Sequence, residues 1–372
     1  MKKIGIMTFH RAHNFGAMLQ AYALQQTLSE EYDAQIIDYR CEYIEPIYYR
    51  KRNLMQFIKD IAKFFLKHNK AVFLYKKDKH FNTFYKKYLV KTQKAYNKED
   101  ICEVNQKFDA FISGSDQVWN PQIIKDDYNY LLSFADANKR YSYAGSFGNN
   151  QSIMQSDNRY VVAELLNTFK EPLIRENGGF DVLKNLNVVS HNNAKLVCDP
   201  IFLLDREKWI NNIGIKKREE KYILLFLVAP QSHSYQFARN LASKLGLKIR
   251  YINSYGKYND CPDWCEDYMN VGPKDFLELV FNATYIVTTS FHGMAFAINF
   301  NKEFYFELDS RANNKNDRLI NLAEVFDLKD REIKSEVVPE HLDSINYDKI
   351  NVILKEYSNK SRNILMDSLS NI

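Results

Sequence analysis

Short apolar blocks alternate with amphipathic stretches from the first residues onward. Lys3-Ile4-Gly5-Ile6-Met7-Thr8 predicts a buried strand. A polar turn follows, and then Leu19, Ala23, Leu24 and Leu28 recur at helical spacing over 17–28. Gln35-Ile36-Ile37-Asp38-Tyr39 predicts a second strand, which completes a βαβ unit with a parallel sheet. Further strands are expected at 108–112, 140–145, 188–189 and 195–198. Tyr222 to Val228 is a continuous apolar run suited to the centre of a parallel sheet. Helices over 235–245, 275–282 and 293–300 then alternate with strands over 248–252, 285–289 and 304–307.

The polar stretch from Asn212 to Glu220 divides the chain. We therefore expect an N-terminal α/β domain over 1–212, a C-terminal α/β domain over 213–340, and a helical segment over 341–372 returning to the first domain. Ligands of such sheets bind beyond the C-terminal ends of the strands. With two domains, the cleft between them is the default site.

Charge changes this picture at one place. The net charge of +5 hides a split. Residues 50–98 hold 15 Lys/Arg against Asp60 and Asp78, a net +13, while the remainder holds 36 bases against 44 acids. Within this basic insertion, Ile58, Ile61, Phe64 and Phe65 oppose Lys59, Lys63, Lys67 and Lys70 on a helix expected over 55–74. The segment reads either as a surface for an anionic bilayer or lipid diphosphate, or as a solvated basic face. No nucleic-acid reader motif accompanies it.

The N-terminus lacks the apolar core of a signal peptide, and no run is long enough to span a membrane. Five scattered cysteines fit a reduced, cytoplasmic setting. Cys261 and Cys265 lack partners for a zinc site, and no metal or cofactor is expected. Ser115 and Ser146 lack a nucleophile-elbow pattern.

Four clusters carry candidate chemistry. Thr8 to Ala17 joins the first strand to the first helix. His10, Arg11, Asn14 and Gly16 there make either an anion-binding loop or an ordinary turn with surface histidines. Ser113-Gly114-Ser115-Asp116-Gln117 follows an apolar strand; Asp116 is either a base or ligand for a sugar hydroxyl, or a turn cap. Thr288-Thr289-Ser290-Phe291-His292-Gly293 opens a helix, where His292 either moves a proton or sits in solvent. Arg175, beside Gly178-Gly179, grips either an anion or a surface carboxylate.

Together these clusters resemble the polysaccharide pyruvyl transferase family. The likeness runs through residues 5–25, 109–120, 141–148, 173–179, 199–204 and 271–298. It implies a fold resembling glycosyltransferase B, with two Rossmann-like domains facing across a cleft. It also implies transfer from phosphoenolpyruvate to a sugar, forming a pyruvate ketal on a bacterial capsule, exopolysaccharide or lipid-linked precursor. By the same resemblance, His292 transfers the proton, Asp116 acts as base, and Arg175 contributes to donor binding. Substrate contacts are then expected at His10, Arg11, Asn14, Gly16, Ser113, Ser115, Gln117, Ser146, Thr289, Ser290 and Gly293.

One position departs from the family pattern: Ser290 stands where an arginine is expected. Arg11, Lys2, Lys3, Lys274, Arg311 and Arg318 are the candidate replacements. A nucleotide-sugar-dependent glycosyltransferase and a non-catalytic saccharide-binding protein are the alternatives.

Overall fold

The computed structural model describes residues 1–45, 68–148, 153–228, 233–253, 261–309 and 316–372, with side chains from residue 76 onward in the helix that opens the second stretch. Most of the basic helix expected over 55–74, and Arg311, lie outside the described residues. The chain forms two compact units. The first comprises Met1–Arg50, Tyr85–Leu204 and Lys355–Ile372; the second comprises Lys51–Phe84 and Asp205–Leu354.

The first unit is built on a parallel sheet of β1 (Lys3–Met7), β2 (Asp33–Ile36), β3 (Ala110–Ser113) and β4 (Arg140–Ser142) in the order β2-β1-β3-β4. Ile4 pairs with Ala34 on one side and Ala110 on the other. A two-stranded parallel ladder, β5 (Leu173–Ile174) with β6 (Lys195–Leu196), is attached through Gly145. The helix α1 (Phe15–Leu28) is buried at nearly every position, not on one stripe. Helical spacing alone understates such a helix, because all of its faces meet protein. Residues 189–193 form a 3-10 turn, not the strand expected at 188–189. Asn167 and Leu183 satisfy the Val189 and Val188 backbone there, so no strand partner is required.

The second unit is also Rossmann-like. Its parallel sheet runs β11-β10-β7-β8-β9, from β7 (Tyr222–Leu227), β8 (Lys248–Asn253), β9 (Glu266–Asp267), β10 (Tyr285–Thr288) and β11 (Glu303–Phe306). Every β7 residue is buried, as expected for a central strand.

In chain order the remaining helices are α2 (His68–Tyr88), α3 (Arg159–Leu166), α4 (Gly178–Asn185), α5 (Arg206–Ile213), α6 (Ser234–Leu245), α7 (Pro273–Asn282), α8 (Phe291–Asn299), α9 (Asp317–Val325) and α10 (Tyr347–Leu369). None of the described helices is long and apolar enough to cross a membrane.

The last part of α10 belongs to the first unit. Ser361 Oγ accepts a hydrogen bond from the buried Cys198 amide at 2.9 Å, and Arg362 forks onto Glu30 at 2.7 and 3.1 Å. Tyr357 lies 6.3 Å from Phe202, ring to ring. The Ser361 bond satisfies a buried N–H, whereas the Arg362 pair is partly exposed. Ser361→Ala should therefore lower unfolding free energy by about 1–3 kcal/mol. Arg362→Gln should cost less than about 1 kcal/mol. Urea unfolding of both variants checks this order, and the reverse order would refute it.

Candidate functional site

Strand order places the candidate residues. In the first unit the neighbours β1 and β3 are not consecutive, so the chain switches direction across the sheet between them. In the second unit the same holds for β7 and β10. Crevices form beyond the C-terminal ends of strands at such switch points. The clusters after Met7, Ser113 and Thr288 fall there.

At the first switch point the seam is tied by hydrogen bonds. Gly114 N donates to Met7 O at 2.8 Å, Thr8 Oγ1 donates to Ser115 O at 3.1 Å, and Gln20 Nε2 donates to Thr8 Oγ1 at 2.8 Å. Ser113 Oγ donates to Tyr130 O and accepts from Trp119 Nε1. Gly145 pairs with both Asp116 and Ile174 in single parallel bridges, which brings the Asp116 loop to Arg175. A Cβ on Gly145 would stand 2.6 Å from the buried Trp119 ring, so only glycine permits this approach.

The centre of this region is a buried guanidinium. Arg175 donates to Asp199 at 2.9 Å, to Glu176 at 3.2 Å and to Ser115 Oγ at 3.4 Å. It is 3% exposed, and Asp199 is 2% exposed. Arg175 is thus neither a surface arginine nor an open anion grip. Burial works to lower its pKa, but Glu176, Asp199 and Asp116 together raise it above the ordinary value. Three carboxylates surround one cation, so the local charge favours hydroxyl groups over anions.

Ser146 Oγ donates to Glu176 and accepts from Gly148 N at 3.1 Å. Gln117 accepts from Asn120 at 2.8 Å. Asp116 has φ of +75°, a left-handed conformation that Asp and Asn tolerate better than most residues. Its Oδ1 accepts from the Gln117 amide at 2.9 Å.

The loop after β1 is arranged differently from the expectation. Gly16 lies inside the first turn of α1 without positive φ, so no unusual backbone is required of it. Asn14 makes the turn by capping α1, accepting from Ala17 N at 3.1 Å. His10 is buried, not at the surface, with Nδ1 2.9 Å from Thr8 O and Nε2 3.4 Å from Asp38. Arg11 binds Asp38 at 2.6 Å and Glu45 at 3.0 Å. Burial works to raise the Asp38 pKa, but hydrogen bonds from His10 and Arg11 hold it well below the usual carboxylate range.

In the second unit, Thr288 Oγ1 donates to Phe226 O at 2.8 Å, and Thr289 Oγ1 accepts from Val228 N at 3.0 Å. These bonds close the switch point between β7 and β10. Ser290 is the N-cap of α8, its Oγ accepting from Gly293 N at 3.3 Å. A Cβ on Gly293 would collide with Thr288 Oγ1 and lie 2.9 Å from Phe226, so glycine lets α8 start this close to the strands. His292 is buried in the first turn of α8.

Among the described residues that could supply the charge missing at position 290, Arg318 lies here. Its guanidinium lies 5.9 Å from the centre of the Phe291 ring, beside His292. Arg11 is held by Asp38 and Glu45, Lys2 pairs with Asp109, and Lys274 pairs with Glu278. The Arg175–Asp199 pair and the Ser290 cap were not readable from spacing, because each depends on where a side chain points. The position of Asp199 just before Pro200 was the available hint of a fixed turn.

Two substitutions separate scaffold from chemistry. Arg175→Met strands buried carboxylates and should cost about 3–5 kcal/mol of stability. Asp116→Asn keeps a residue suited to positive φ and should cost less than about 1 kcal/mol. Thermal unfolding measured side by side decides; equal losses would refute the division.

A search of the curated proteins finds no match to the sequence. Solved structures with a similar fold include UDP-GlcNAc 2-epimerase from Neisseria meningitidis bound to UDP-GlcNAc, at 8% identity and TM-score 0.52 over 100% of both chains. UDP-GlcNAc 2-epimerase from Methanocaldococcus jannaschii, in complex with UDP-GlcNAc and UDP, matches at 13% identity and TM-score 0.45, covering 97% of this chain and 94% of that one. The heptosyltransferase WaaC of E. coli, with ADP, matches at 9% identity and TM-score 0.38, covering 95% and 99%. At 8% identity the meningococcal likeness is one of fold, and it agrees with the glycosyltransferase B-like class of the two Rossmann-like units. The family model for polysaccharide pyruvyl transferase matches residues 14–306, and the chain therefore belongs to that family of sugar-modifying enzymes.

Proposed function

We propose that this enzyme transfers a sugar from a nucleotide-sugar donor to a hydroxyl of an envelope saccharide or its lipid-linked precursor. The observation that carries this reading is the contrast between the two switch points. The first unit gathers Asp116, Glu176 and Asp199 around one buried guanidinium. The second offers a helix start, His292 and, among the described residues, the cation Arg318. A carboxylate-rich region suits a polyhydroxyl acceptor, and a helix N-terminus with one guanidinium suits a donor phosphate.

In this mechanism Asp116 takes the proton of the acceptor hydroxyl as its oxygen bonds to the anomeric carbon. The bond from that carbon to the donor phosphate oxygen breaks, and its electron pair leaves with the nucleoside diphosphate. Arg318 and the positive end of α8 stabilise the departing charge. His292 donates a hydrogen bond to the leaving oxygen. The meningococcal structure of the same fold class holds UDP-GlcNAc, which supports a donor of this kind.

Ketal-forming transfer from phosphoenolpyruvate is the second reading, favoured by the family match over 14–306. There His292 protonates the methylene carbon, a sugar hydroxyl attacks C2, and Asp116 takes that proton. A second hydroxyl of the sugar then attacks C2 as the C2–O bond to phosphate breaks, and its proton passes to His292, restoring the group that protonated the methylene carbon. This donor needs cationic grips for both its phosphate and its carboxylate. Ser290 supplies no charge, and Arg175 is enclosed by carboxylates.

Product analysis with purified enzyme and a saccharide acceptor discriminates the two. We expect acceptor-dependent release of UDP or GDP, falling by a factor of about 100 or more in both Asp116→Asn and His292→Ala. Acceptor-dependent release of phosphate from phosphoenolpyruvate, without nucleotide release, would replace the first reading by the second. If neither donor is consumed but the saccharide binds, the non-catalytic alternative stands.

A further inference from the structure

At the N-terminal edge of the second unit's sheet, two cations meet one ring, and a third, Lys217, adds its charge nearby. Phe281 lies in the last turn of α7, Arg206 opens α5, and Lys302 ends the turn from α8 into β11. The Arg206 guanidinium lies 5.5 Å and the Lys302 ammonium 5.6 Å from the centre of the Phe281 ring. Lys217 is brought alongside by its own backbone neighbours. Asn282 donates to Lys216 O at 2.9 Å and accepts from Arg218 N at 2.7 Å.

The carboxylates of Glu278, Glu220 and Glu303 are engaged by other cations. Glu278 faces Arg218 at 3.5 Å and Lys274 at 3.8 Å, Glu220 binds Arg250, and Glu303 faces Arg331 at 3.3 Å. Among the described residues, none of the ion pairs involves Arg206, Lys217 or Lys302. The C-terminal ends of α7 and α8 each contribute about half a negative charge. That offsets about one of the three cations and leaves about two uncompensated.

The cluster is also held in place. The Tyr347 hydroxyl donates to Lys302 O, and Lys302 N donates to Ala297 O at 2.9 Å. Burial, with the charges of Arg206 and Lys217, pushes the Lys302 ammonium down to about 8. A bound anion would relieve the mutual repulsion that contributes to this shift.

We propose that Arg206, Lys217 and Lys302 form an anion site for a phosphate or diphosphate group, free or carried on a lipid headgroup. It lies at the opposite end of the strands from Ser290 and His292, so it does not depend on which donor the enzyme uses. The Phe281 ring holds the Arg206 guanidinium and the Lys302 ammonium by cation–π contact, and their remaining N–H groups take the phosphate oxygens.

Calorimetric titration of the full chain with inorganic pyrophosphate at low salt tests the free anion. Lys302→Met and Arg206→Gln should each weaken the affinity about tenfold. A second arm measures retention on phosphatidylcholine vesicles with and without phosphatidylglycerol. If headgroups are the source, retention on the anionic vesicles falls in the same variants and pyrophosphate competes for it. Urea unfolding confirms that each variant folds, and the exposed Arg206 gives a variant outside the core. Equal binding of pyrophosphate and of anionic vesicles by the wild type and both variants, or no binding in either arm, would overturn the proposal.

Discussion

The Arg175 guanidinium sits inside the first unit against Asp199, Glu176 and Ser115, and much of the candidate chemistry there depends on that contact. A buried ion pair must recover a large desolvation cost through good geometry. Here the geometry comes from the backbone: Gly145 threads between Asp116 and Ile174 with the Trp119 ring against it. The same tie sets the charge balance. One cation among three carboxylates leaves an electronegative region that suits hydroxyls, and it encloses the Arg175 guanidinium among protein partners.

The second unit answers with the opposite polarity. Ser290 caps α8, Gly293 lets the helix start against Thr288 and Phe226, and Arg318 stands over Phe291. In the proposed reading, a cation absent from one place in the chain is supplied from another element. Substitution at one motif position thus need not abolish a phosphate contact, although it changes the geometry from a helix-borne arginine to one reaching over a ring. That change is the physical basis for placing a nucleotide sugar before phosphoenolpyruvate.

Much of this was legible in the chain. Buried parallel strands read as apolar runs, so β1, β3, β7 and β10 were found near their true ends, and the polar clusters after them marked both switch points. Long-range side-chain geometry was not legible. Arg175 and Asp199 are distant in sequence, and only the folded ladder of β5 with β6 brings them together. Gly16 suggested a special turn, but Asn14 makes it through a cap. The two-residue strands β5 and β9 are too short to show periodicity. Arg206, Lys217 and Lys302 come from three separate segments, so no local run of charge marks them.

In the proposed reaction charge is divided, with acceptor chemistry on the carboxylate-rich first unit and donor phosphate on the start of α8. Calorimetric binding of UDP and of phosphoenolpyruvate to the purified chain, each compared with Arg318→Gln, tests it most directly. UDP should bind, Arg318→Gln should weaken it, and phosphoenolpyruvate should show no measurable binding. Phosphoenolpyruvate binding that survives in Arg318→Gln but is lost in Arg175→Lys would contradict it, because the grip would then lie on the guanidinium assigned here to the scaffold.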